Sequence, residues 1–70
     1  MAKKINEGIR RAIEIAGSSR KLAVMCTVSQ ATVLKWLHVN CPAERTLQIE
    51  NLTGVPRNVI RPDLWPLELV

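Results

Sequence analysis

Cys26, His38 and Cys41 are the side chains that invite a metal-site reading, and Arg20, Lys21, Gln30 and Lys35 are those suited to a polyanion. Structural zinc takes four donors, usually including a C-x2-C pair, and these three residues supply neither the fourth donor nor the pair. No metal is expected. Cys26 instead reads as a small buried residue on a helix, and Cys41 as an apolar residue packing just before the next one. Catalysis has no candidate, because the chain holds no Ser/His/Asp arrangement, no carboxylate pair and no glycine-rich phosphate loop. No cofactor is implied, and an enzyme is not expected. What remains is recognition: cationic and amide side chains that hydrogen-bond to phosphates and bases.

The charge distribution supports that direction. The 70 residues carry ten Lys/Arg and six Asp/Glu, a net charge of +4, with a pI near 9.7. Residues 1–40 hold seven of the cations (Lys3, Lys4, Arg10, Arg11, Arg20, Lys21, Lys35) and two acids (Glu7, Glu14), a net +5; residues 41–70 are at −1. A basic half on a small domain is the footprint of a polyanion partner, nucleic acid before membrane. A chain of this length buries only about 60% of its unfolded surface, too little for a large core and an enclosed catalytic pocket together. The longest apolar run, Leu22 to Cys26, is far shorter than the about 18 residues a spanning helix needs. The amino terminus lacks a signal-peptide core, so a soluble cytoplasmic protein with reduced cysteines and no membrane partner is expected.

The elements that position these residues follow from apolar periodicity and caps. Ile5, Ile9, Ala12, Ile13 and Ala16 recur at spacings of three and four, predicting an amphipathic helix over about 3–16 that ends at Gly17. Its outer face offers the i,i+4 pairs Glu7 with Arg11 and Arg10 with Glu14. Ser18 or Ser19 caps a second helix over about 19–26, and Ser29 a third, with only about Thr27 and Val28 between them. Two short helices joined by so tight a turn form a helix-turn-helix, here about 19–37. Pro42 at a first helical position and Gly54 past the end bound a fourth helix over 42–53, with Ala43, Leu47, Ile49 and Leu52 as its apolar stripe. Arg57 to Ile60 allow one more turn before Pro62, leaving an irregular or extended tail over 61–70. An all-α chain of four to five short helices, folded as one domain over 1–70, is the expectation.

The segment LAVMCTVSQATVLKWL (22–37) sharpens it. Ala23 leaves room for a close helix crossing, Val28 sits in the turn, and Val33 and Trp36 anchor the next helix. This pattern resembles the helix-turn-helix of lambda-repressor and Cro-type phage proteins. Thr27 stands where such turns most often have a left-handed Gly; a β-branched residue there either tolerates strain or takes another backbone path. Further on, PAERTLQIENLTG (42–54) and GVPRNVIRPDLWP (54–66) are similar to the carboxy-terminal half of the YdaS-type family, small Cro-like regulators regarded as antitoxins of YdaS/YdaT modules. The resemblance covers about residues 5–66.

It implies a DNA-binding repressor of a prophage or toxin-antitoxin operon, with the third helix (29–38) in a major groove. The exposed face is then Ser29, Gln30, Ala31, Leu34 and Lys35, with Thr32 at the flank. By that match Gln30 and Ala31 fall on first-turn reading positions and Lys35 one turn later, while Ser29 falls nearer phosphate. Gln suits adenine N6/N7, Lys guanine O6/N7, and Ala or Leu a thymine methyl. Ser19, Arg20 and Lys21 sit where such repressors grip the backbone, and His38 can reach phosphate from the helix end. Leu34 has two readings, a contact to DNA or protein, or partial burial through rotation of its helix. So has the tail: Arg61 and Asp63 pinning it while Trp65 covers the core, or Trp65, Leu67 and Leu69 with Val70 forming a seam for a second subunit. The partners expected are a double-stranded, palindromic DNA operator and a homodimer formed in solution or only on DNA. The alternative is an antitoxin-like module that binds a cognate toxin or another protein through its carboxy-terminal segment.

Overall fold

In a computed structural model, which describes residues 5–66, the chain forms five helices: α1 (Glu7–Ala16), α2 (Ser19–Cys26), α3 (Gln30–His38), α4 (Ala43–Thr53) and α5 (Arg57–Ile60). The described residues contain no strand. The expected all-α architecture is therefore the observed one. α1 packs against each of the other four helices, whereas α3 packs on α1 and α2 and leaves its outer face open.

The core is assembled from small and aliphatic groups, as a chain without Phe or Tyr requires. Ile9, Ala12, Leu22, Ala23, Cys26, Val33, Trp36, Cys41, Ile49, Val55 and Ile60 are buried, with Ile13, Ala16, Val28, Leu37 and Val59 packed against them. Ala23 is buried, and Val33 and Trp36 are the buried anchors of α3, as the spacing predicts. Gly8 allows α1 to approach α5: a Cβ there would lie 2.5 Å from the Ile60 Cα.

Several boundaries differ from expectation. α1 begins at Glu7 because Asn6 caps it, its Oδ1 accepting from the Ile9 N–H at 3.1 Å. Lys3 and Lys4 lie outside the described residues, and Ile5 is exposed. α2 keeps its expected bounds, and of the two serines offered as its cap Ser18 serves, accepting from the Lys21 N–H. Pro42 is the N-cap of α4 and not its first helical residue. The apolar stripe expected on α4 is wrong except at Ile49: Ala43, Leu47 and Leu52 are exposed, and Thr46 takes the other buried position. Thr46 can do so because its Oγ1 donates to the Pro42 carbonyl at 2.9 Å, so no polar atom is stranded.

Candidate nucleic-acid interface

The turn between α2 and α3 is built on Thr27, at φ 60 and ψ 44 in the left-handed region. It is the one non-glycine residue with positive φ among those described. The Thr27 N–H donates to the Ala23 and Val24 carbonyls, and the Val28 N–H to the Ala23 carbonyl at 3.0 Å. This six-to-one closure, with Val28 dropping onto the core, is a Schellman ending, and it demands the left-handed residue. Threonine therefore accepts the strain and keeps the turn. The Cys26 carbonyl at the same helix end is held from α4, by Arg45 Nη1 at 3.3 Å and Gln48 Nε2 at 3.5 Å.

Ser29 caps α3, its Oγ accepting from the Thr32 N–H at 3.2 Å and lying 2.9 Å from Thr32 Oγ1. Gln30, the first residue of α3, donates from Nε2 to Ser19 Oγ at 2.9 Å, joining the amino termini of α2 and α3. That bond leaves the Gln30 amide oxygen for an outside donor and restricts the side chain to one region. Ser29, Gln30, Ala31, Leu34, Lys35 and His38 are exposed along α3, and Thr32 is half-buried at its flank. Leu34 keeps 39% exposure, so it reaches the open face with more than half of its surface covered, and both of its readings stand. Arg20 and Lys21 are exposed at the start of α2 and Ser19 is half-buried beside them.

The cations divide into two groups. Arg10 is bound by both Glu7 and Glu14, Arg11 lies 3.8 Å from Glu7, Arg57 binds Glu50 at 2.8 Å, and Arg61 binds Asp63 at 2.7 Å. Among the described residues no ion pair involves Arg20, Lys21 or Lys35. Arg45 makes no ion pair either, but its guanidinium is taken up by the Cys26 carbonyl and Gln48. The exposed cations without a carboxylate among the described residues are thus Lys35 on α3 itself and Arg20 and Lys21 in the first turn of α2, whose amino terminus Ser19 and Gln30 tie to that of α3. Elsewhere the ion pairs do structural work. Glu50 accepts from the Arg57 backbone N–H at 2.9 Å, and this bond, then the guanidinium, holds its carboxyl below the ordinary range. The Arg61 hydrogen bonds do the same to Asp63.

Arg61 Nη1 also donates to the Cys41 carbonyl at 2.6 Å, so the Arg-Asp pair pins the chain after α5. Trp65 is half-buried with Arg57 5.7 Å from its ring centroid. Leu67 and Leu69 lie outside the described residues. Cys26 and Cys41 are buried free thiols, and burial raises both above the usual thiol range. No group of His, Cys, Asp and Glu able to hold a metal ion occurs among the described residues. No described helix is long and apolar enough to cross a membrane.

Sequence reasoning missed Asn6, Arg45 and Gln48, which position the helices. Asn6 donates from Nδ2 to the Ile60 carbonyl at 2.9 Å and from its backbone to the Leu37 carbonyl at 2.8 Å, fixing α1 to the ends of α5 and α3. An Asn directly before an amphipathic run is a cap signal and could have been read. The contacts of Arg45 and Gln48 cross about twenty residues of sequence, and no local signal carries them.

Five helices with an open α3 behind a tight turn are the fold of a Cro-like helix-turn-helix protein. The Cro protein from prophage element Xfaso 1 of Xylella fastidiosa strain Ann-1 superposes with a TM-score of 0.79 at 33% identity, over 86% of this chain and 97% of that one. The family model described as "Bacterial toxin YdaS" matches residues 9–68, and the chain belongs to that family. No curated protein matches it by sequence.

Proposed function

We propose that this protein is a sequence-specific DNA-binding transcriptional regulator, a cytoplasmic Cro-like repressor of prophage or toxin-antitoxin type. The whole chain acts as one DNA-binding domain. α3 lies in the major groove with Gln30, Ala31, Leu34 and Lys35 toward the bases. Ser19, Arg20, Lys21, Ser29 and His38 hold phosphates, and Thr32 orients Ser29. The observation that carries this reading is an open α3 face bearing Lys35, joined through the Ser19–Gln30 bond to the end of α2 that carries Arg20 and Lys21, all three exposed and without a carboxylate partner among the described residues. Reading a palindromic operator, with half-sites about 34 Å apart, needs two copies.

Titration of the protein against its own upstream DNA and a random duplex tests it. Gln30→Ala and Lys35→Ala are expected to weaken the specific site by about 1–3 kcal/mol each and random DNA little. Arg20→Ala weakens both and lowers the salt slope by about one. Equal losses on both duplexes for all three variants would remove α3 from its reading role. The rival reading, an antitoxin-like module acting through the carboxy-terminal segment, draws less support, because Trp65 is partly occupied by Arg57 and Arg61 by Asp63.

A further inference from the structure

α2 presents apolar side chains that neither the core nor the open face of α3 uses. Val24 is 75% exposed and Met25 38% exposed. With Ala16, Arg20 and Lys21 they line an open, mostly apolar groove of about 440 Å³. Gly17 helps to shape its wall: at φ +108 and without a Cβ, it lets the Lys21 stem lie close, 3.2 Å from where that Cβ would stand. The result is an apolar floor with a cationic rim, and neither rim cation meets a carboxylate among the described residues.

We propose that this groove docks a protein partner through an amphipathic segment carrying apolar and acidic side chains on one face, and that this partner and DNA exclude one another. Charge complementarity selects the occupant. Phosphate contacts would engage Arg20 and Lys21 but give Val24 and Met25 nothing, since these offer no donor. A second copy meeting this face by two-fold symmetry would set two cationic rims against each other. A small ligand needs enclosure over most of its surface, which an open groove denies. An acidic amphipathic helix satisfies floor and rim together, in the helix-in-groove mode. The exclusion clause rests on the reading of Arg20 and Lys21 as phosphate-holding residues; the docking clause does not.

The test selects binders from a displayed library of random short peptides on the full-length protein, then measures affinities with the synthetic peptides. The expected binders combine Asp/Glu with Leu, Ile, Met or Phe at helical spacing and shift the amide resonances of α2. Val24→Ser and Arg20→Glu each reduce their affinity about tenfold or more. Val24 is exposed enough for its substitution to leave the fold intact, and Val24→Ser keeps DNA affinity within about twofold. Failure to select acidic apolar peptides, or binding indifferent to Val24→Ser, overturns the docking site. A selected peptide that leaves DNA affinity unchanged overturns the exclusion. Peptide binding by a protein with no DNA affinity overturns the exclusion and the regulator reading while upholding the docking site.

Discussion

Thr27 shows how a single residue sets the geometry of the helix pair. Its left-handed backbone costs a β-branched residue about 1–2 kcal/mol relative to glycine, and its side chain is exposed, with no packing to lose. Thr27→Gly also frees the unfolded chain, so the net expected gain is about 1 kcal/mol, a rise in Tm of about 4–8 °C by calorimetry. Gly8 works in the opposite sense. A methyl group there would meet the Ile60 backbone, which cannot yield, so Gly8→Ala is expected to destabilise by about 1–3 kcal/mol in denaturant titrations. The buried thiols give a third check. Cys26 and Cys41 are inaccessible, and burial keeps them in the unreactive thiol form, so neither should be alkylated in the native protein and both should react once it is unfolded.

At the scale of elements, stability resides in helix ends. Asn6 caps α1 and also holds the Ile60 carbonyl, so Asn6→Ala is expected to cost about 1–2 kcal/mol in unfolding free energy. Glu50 and Asp63 have carboxyls held below their unfolded values. Their contribution is complete above the unfolded carboxylate range and is lost as pH falls through the folded values. Stability should therefore drop on acidification, and Glu50→Gln with Asp63→Asn should flatten that limb of the pH profile. Caps were largely legible in the sequence because they are local: Ser29, Gly17 and Gly54 mark helix ends as read. The buried face of α4 was not. A threonine whose hydroxyl returns to the carbonyl four residues back behaves as an apolar residue, and hydropathy periodicity cannot see that bond.

Across the whole molecule, both halves of the chain build the core, whereas the basic excess belongs to the first alone. The basic excess of residues 1–40 was legible from composition, and the exposure of α3 from the anchoring positions Val33 and Trp36. Which cations are neutralised was only partly legible. The pairs on α1 follow from spacing along a helix, whereas Arg57 with Glu50 bridges two helices. The link from Ser19 to Gln30 likewise exists only once α2 and α3 have packed, and it ties the amino-terminal end of α2 to that of α3. In the proposed complex α3 reads bases while α2 holds the backbone. This division of roles is tested most directly by the affinity ratio between the upstream DNA and a random duplex, for the native protein and for Gln30→Ala, at several salt concentrations. A ratio of about 10³ or more is expected, falling about ten- to a hundredfold in Gln30→Ala, with random-duplex affinity unchanged and salt-dependent. A ratio near one, or a ratio that Gln30→Ala leaves intact, would contradict that division.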